Sequence, residues 1–205
     1  MTPDDYKPHL FEGESDLLRQ EMAKASSYLE FGIGGSTLLA AEVGIRRIVS
    51  VDSDQAWVRK IDEKIAVNRP RFDIELIHCD IGQTRDWGFP VDRERIADWP
   101  QYFILPWQRF LSRRETPDLI YIDGRFRVAC ALYSLLNLHL HRSRLFRKAA
   151  RLLIHDFSDR PYYDKILEFA SVVAAVNTLV VVEPKRGVPQ SRLLQELLSF
   201  QFDTR

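Results

Sequence analysis

The chain's hydrophobic pattern predicts an α/β fold: a mostly parallel, doubly wound sheet with helices on both faces. Three observations carry that expectation. Short apolar runs recur along the chain, as strands buried on both faces require. Segments of helical spacing separate them. Five successive runs end in acids, Glu30, Asp52, Asp80, Asp123 and Asp156. Those positions are carboxyl ends of strands, where open α/β sheets hold ligands.

Taken in order, Ser15 can cap a helix over about 16–25, with Leu17, Leu18 and Met22 on its inner side. Residues 27–31 form the first strand. Ser36 and Thr37 open a helix through Glu42, and Gly44 suits its end. RIVSVD (47–52) is the second strand. Asp54 can cap the next helix, in which Trp57, Val58, Ile61 and Ile65 keep helical spacing; Pro70 lies just past its end. FDIELIHCD (72–80), DLIYIDG (118–124) and RLLIHDF (151–157) give the third, fourth and fifth strands. A helix after the fourth strand packs Val128, Ala131, Leu132, Leu135 and Leu138 on one face. A helix around 162–169 precedes two apolar runs flanking Asn177, a closing hairpin that brings the sheet to seven strands. Residues 190–200 form a final amphipathic helix.

The 205 residues fit one large domain, 1–205, with an aromatic-rich insertion at about 81–117. That insertion holds Trp87, Phe89, Trp99, Tyr102, Phe103, Trp107 and Phe110. Connections this long carry a lid, a helix or a binding loop, so a pocket wall and core packing both stay open. Twenty-nine basic residues balance twenty-nine acidic ones, which gives no general attraction to nucleic acid or to an anionic membrane. The basic group Arg142, Arg144, Arg147, Lys148 and Arg151 is expected to be a solvated helix end. No run approaches the ~20 apolar residues of a membrane span, and no secretory signal is expected. Cys79 and Cys130 sit in apolar surroundings, as reduced core residues of a cytoplasmic protein would.

The stretch YLEFGIGGST (28–37) places a carboxylate directly before a glycine turn. A dinucleotide fingerprint needs a third glycine where Thr37 stands, and Glu30 would repel a pyrophosphate resting at that turn. A carboxylate there suits an ammonium group instead. Asp52, ending the neighbouring strand, can accept hydrogen bonds from both ribose hydroxyls. A ligand with an ammonium, a ribose and an adenine but no phosphate is S-adenosyl-L-methionine.

These motifs resemble those of class I S-adenosylmethionine-dependent methyltransferases over roughly residues 25–185. LEFGIGGST resembles their first motif, VSVDSD the second and IHCDIG the adenine-side motif; LIYIDGRF and LLIHDF are similar to the fourth and fifth strands of the O-methyltransferase-like branch. The resemblance implies a Rossmann-like fold and S-adenosyl-L-methionine as cofactor. It places Gly32 and Gly34 at the methionine part, with Gly35 letting the backbone approach, and Glu30 toward the ammonium, directly or through water. It places Asp52 at the ribose and Asp80 with the Ile81 backbone at adenine. Metal-dependent members carry an acid after strand four and an acid–Asn pair after strand five. Asp123 and Asp156 match the acids, but Phe157 replaces the Asn, so no metal is expected.

On the substrate side, Asp123, Arg125, His155 and Asp156 project over the strand ends. His155 is a candidate general base, or else a histidine turned into the layer between sheet and helices. Strand alternation puts His155 and Asp156 on opposite faces. Arg125 either clamps an anionic substrate or pairs with Asp123, and Trp87 is a candidate substrate contact. The expected activity is methylation of a small molecule at oxygen. A non-catalytic binding module of the same fold and a nicotinamide-dependent oxidoreductase are the rivals.

Overall fold

The computed structural model describes residues 6–67, 72–141 and 150–205. The elements are α1 (Glu14–Met22), β1 (Ser27–Phe31), α2 (Gly35–Val43), β2 (Arg47–Asp52), α3 (Gln55–Val67), β3 (Asp73–His78), β4 (Thr84–Arg85), β5 (Phe89–Pro90), α4 (Gln101–Leu111), β6 (Leu119–Ile122), α5 (Arg127–His141), β7 (Arg151–Ile154), β8 (Ala170–Val176), β9 (Leu179–Pro184) and α6 (Gln190–Phe200). The seven-stranded sheet has the order β3-β2-β1-β6-β7-β9-β8. β1, β2, β3, β6 and β7 pair in parallel. β9 runs antiparallel between β7 and β8. The order reverses between β1 and β6, and that switch point opens a crevice at the carboxyl ends. This is a Rossmann-like, doubly wound sheet with a closing hairpin, as the apolar runs predict.

The central strands are buried on both faces, so their side chains alternate between two cores. Leu29, Phe31, Val49, Ile120 and Ile122 face α4 and α5. Tyr28, Ile48 and Tyr121 face α1 and α2, meeting Leu18, Met22 and Leu39. The hairpin turns at Asn177, whose φ of 48° is the left-handed conformation that asparagine tolerates. Cys79 and Cys130 are buried and free. Among the described residues, no helix is long and apolar enough to cross a membrane.

Several local expectations change. The first helix starts at Glu14, not after a Ser15 cap, because Gly13 at φ 83° turns the chain into it. The helix expected at 162–169 is a 3-10 segment, Pro161–Glu168. Pro70 and the basic residues 142–148 lie outside the described residues; Arg151 pairs with Glu21 and Glu183 inside the fold.

The long connection between β3 and β6 is mostly a structural layer. α4 buries Tyr102, Phe103, Trp107 and Phe110 against the sheet and α5. The Trp107 indole N–H donates to Ser134 Oγ at 3.0 Å. The short antiparallel ribbon β4–β5 stands off from it, with the exposed Trp87 at its tip. Trp107→Ala should therefore cost about 3–5 kcal/mol of stability, as large-to-small core changes do. Urea unfolding showing a loss below about 1 kcal/mol would mean that α4 is a cover rather than a layer of the core.

Candidate functional site

The carboxyl ends of β1, β2, β6 and β7 border a cleft of about 990 Å³. The glycine turn, Asp52, residues 123–125 and residues 155–156 line it. An N-terminal stretch including Lys7, Pro8 and His9 and the β4–β5 ribbon form its outer walls.

Glu30 points away from this cleft. The alternation that puts Leu29 and Phe31 on one side of β1 turns Glu30 inward on the other, where it is fully buried. Its carboxylate accepts four O–H bonds: from Ser36 and Thr37 at 2.5 Å, Ser50 at 2.7 Å and Tyr28 at 3.0 Å. Burial pushes its pKa up to about 7, against these hydroxyls, which favour the charged form. Direct contact with a ligand ammonium is not available to it. What it holds is the first turn of α2, where Thr37 Oγ1 also accepts the Gly34 N–H at 2.9 Å.

The surrounding chain constrains two of the three glycines. Gly32 sits at φ 105°, and a Cβ there would meet Gly124 N at 2.6 Å. A Cβ on Gly35 would run into the backbone of Lys7 and Pro8, so this glycine makes room for the N-terminal strap where it lines the cleft. A Cβ on Gly34 would meet nothing within 4 Å, so no protein neighbour fills the space beside its bare backbone.

Asp52 closes β2 and lines the cleft. Its Oδ2 accepts the Ile33 N–H at 3.0 Å and its Oδ1 the Asp54 N–H at 2.9 Å, and the Ser53 backbone N–H adds a further contact. Burial pushes its pKa up to about 6 against those backbone donors. Asp80 is exposed; it accepts the Gly82 N–H at 3.0 Å and pairs with Arg95 at 3.0 Å. Ile81 is buried, and its carbonyl accepts the Trp99 indole N–H at 2.9 Å.

Beyond β7 the strand alternation stops. Asp156 takes a left-handed φ of 55°, so His155 and Asp156 both reach the cleft rather than opposite faces. Neither ring nitrogen of His155 is free. Nδ1 meets Asp123 Oδ1 at 3.0 Å, and Nε2 meets Glu14 Oε2 at 3.2 Å. Burial lowers the imidazole pKa, but bonding and charge from Asp123, with Asp156 and Glu14 behind it, outweigh burial and raise it. An imidazolium clamped between two carboxylates is a poor proton acceptor. Nor is it a histidine bonded to a backbone carbonyl, the arrangement expected of a layer residue.

Glu14 is the member of this cluster that the sequence did not announce. It is fully buried. It accepts N–H bonds from Phe11, Thr178 and Leu179 at 2.8, 2.9 and 3.0 Å, and the Thr178 hydroxyl at 2.9 Å. Burial raises its pKa, but these donors outweigh it and the net shift is downward.

The pairing expected between Arg125 and Asp123 is made by Arg127 instead, one helical turn after Asp123. Arg127 lies 3.1 Å from Asp123 and 3.0 Å from Asp156, and Arg160 lies 2.7 Å from Asp156. Asp123, His155 and Asp156 bring their ligating atoms within 4.8 Å of one another, close enough for a metal ion. Their charge partners do not suit one: two guanidinium groups and the imidazole already engage these carboxylates. Phe157, where a third oxygen ligand would stand, is buried with its ring against Tyr163. Arg125 and Trp87 lie on the cleft wall, Trp87 78% exposed and Arg125 6% exposed.

The raised pKa of Glu30 has a testable sign. The folded state keeps this proton at pH values where the unfolded chain, near 4.5, has lost it. Its contribution is therefore largest below about pH 4.5 and is lost as pH rises through about 7. The melting-temperature advantage of wild type over Glu30→Gln should shrink between about pH 5 and pH 8. A pH-independent difference would place the Glu30 pKa in the ordinary carboxylate range.

No protein-family profile matches the chain, and no curated protein matches it. Among solved structures, a methyltransferase-like protein from Silicibacter pomeroyi DSS-3 is 31% identical, with a TM-score of 0.81, over 97% of this chain and 99% of that one. A Podospora anserina methyltransferase solved with SAH bound is 15% identical, with a TM-score of 0.53, over 90% of this chain and 82% of that one. A Bacillus cereus O-methyltransferase solved in complex with SAH is 13% identical, with a TM-score of 0.50, over 89% and 86%. The latter two share the fold; the first shares sequence along nearly its whole length. The chain belongs to the family of that methyltransferase-like protein and has the class I methyltransferase fold.

Proposed function

We propose that this protein transfers a methyl group from S-adenosyl-L-methionine to an oxygen of a small molecule. The observation that carries the reading is the unfilled space at Gly34 beside the Asp52 carboxylate, both bordering one cleft at the switch point. Family membership supports it, and so does the SAH bound to the two fold relatives. When bound, the cofactor supplies a methyl on a sulfonium: the carbon–sulfur bond breaks as the carbon–oxygen bond forms, and sulfur keeps the electron pair.

The chain's own groups divide the rest. Gly32 and Gly34 present backbone to the methionine part. Glu30 acts from behind, holding the turn through Ser36 and Thr37. Asp52 offers its remaining acceptor capacity to the ribose hydroxyls. On the adenine side the reading rests on the Ile81 backbone N–H, since Arg95 and Gly82 engage the Asp80 carboxylate and Trp99 the Ile81 carbonyl. Asp123, His155 and Asp156 orient and neutralise rather than abstract a proton, and Arg125 and Trp87 contact the substrate. The acceptor oxygen therefore arrives ionised or loses its proton to solvent. A second reading, a binding module without turnover, is favoured by the complete engagement of His155; a sensitive turnover assay over a panel of hydroxyl and carboxyl compounds separates the two.

Calorimetry should show S-adenosylmethionine or SAH binding and NAD not binding; the reverse pattern would refute the cofactor. Asp52→Ala should weaken cofactor affinity about tenfold or more, the scale of a lost charge-assisted hydrogen bond. The variant should still fold, with a smaller rise in melting temperature on adding cofactor. Undiminished affinity would remove Asp52 from the ribose site. Once a substrate is in hand, chelation should leave turnover unchanged, because guanidinium groups already neutralise the two acids. A loss restored by magnesium would overturn metal independence.

A further inference from the structure

We propose that the methyl acceptor carries an oxyanion, a carboxylate or a phosphate, and that Arg125 is its counter-charge in the cleft. Its role as methyl acceptor rests on the methyltransferase reading; the binding of the anion does not. Arg125 follows β6 and precedes α5, and it is almost fully buried. Its Nε and Nη1 are buried without a hydrogen-bond partner, which leaves three of its five N–H donors unused.

The other two arginines of this region show what a satisfied guanidinium looks like here. Arg127 and Arg160 pair with Asp123 and Asp156. Those acids are committed and cannot serve Arg125 without releasing their present partners. The charges that weigh most on Arg125 are two further cations, Arg127 and Arg160, alongside the phenols of Tyr102 and Tyr163. Burial, and next to it Arg127, lower its pKa, yet a guanidinium in a protein keeps its proton. A buried cation without a counter-ion among the described residues is costly, and Arg125 is one of the residues that line the cleft, so an anion entering there would reach it once its side chain shifts.

The remaining neighbour describes the rest of the ligand. The Arg125 guanidinium stacks on the Phe89 ring at 4.0 Å. Phe89 belongs to the β4–β5 ribbon, whose tip presents Trp87 to solvent. A cation backed by one aromatic ring, with a second ring exposed nearby, fits a small molecule with an anionic end and a flat apolar body.

The test is calorimetry on the full chain with benzoate, phenyl phosphate and benzamide as probes, each alone and with saturating SAH. Benzoate or phenyl phosphate should bind and benzamide should not; the stronger of the two anions identifies the headgroup. Arg125→Gln should weaken the anion about tenfold or more, and Arg125→Lys should fall between it and wild type. The melting temperature of Arg125→Gln should not drop, because an uncompensated charge has been removed; if that variant fails to fold, Arg125→Lys carries the comparison. Equal binding of benzamide and benzoate, no binding of either anion, or wild-type anion affinity in the variants would overturn the proposal. Anion binding in a protein that takes neither S-adenosylmethionine nor SAH would sink the methyltransferase reading while leaving the anion site standing.

Discussion

The geometry of the cleft depends first on Glu30, a carboxylate closed off from water inside the sheet–helix layer. A buried charge is tolerated only when hydrogen bonds replace its lost hydration. Glu30 recruits four hydroxyls from three elements: Tyr28 on its own strand, Ser50 on the neighbouring one, and Ser36 and Thr37 on the helix that follows. Because Thr37 also takes the Gly34 N–H, the same network fixes the backbone that borders the cleft. The acid thus shapes the site without entering it. A hydroxyl deleted from this set would leave the charge less compensated, and the turn would be the part free to move.

A second cluster of charge stands at the ends of β6 and β7, and it is organised differently. There the acids Asp123, Asp156 and Glu14 meet the cations Arg127, Arg160 and His155 at distances of 2.7–3.5 Å. Each of the three cations has at least one carboxylate beside it. Arg125 is the cation left over, and it lies against the open volume. The contrast between a compensated lattice and one uncompensated member gives the cleft its electrostatic direction.

Much of this was legible in the sequence. β1, β2 and α6 fall where the apolar runs and helical spacing put them, because buried parallel strands leave an unmistakable continuous pattern. Asp52 was findable because a strand end two elements from a glycine turn is a defined place in this topology. The Asp123–Arg127 pair had a readable signal too, a four-residue spacing at a helix start, yet attention to the adjacent Arg125 obscured it. Glu14 had none: its partners come from residues 11, 155, 178 and 179, brought together only by the finished fold. The close approach at Gly35 was hidden for the same reason, since the segment that crosses it lies 27 or more residues earlier in the chain. The inward turn of Glu30 was available from strand alternation, as it shares the face of Tyr28. His155 and Asp156 escaped that same rule because one left-handed residue ends it.

The bonds of Glu14 also bear on how the protein comes into being. They join the first helix to the last hairpin across separations of 164 and 165 residues. Contacts that distant are slow to form, since a long loop of chain must be closed before they reward it. The hairpin also leaves the ribosome after every other strand of the sheet. Until it has docked, Glu14 lacks the three donors of Thr178 and Leu179, and His155 lacks the settled carboxylate on its second nitrogen. A nascent chain can therefore lay down β1, β2 and the glycine turn early, while the charged end of the cleft matures only once the hairpin has been made and has docked.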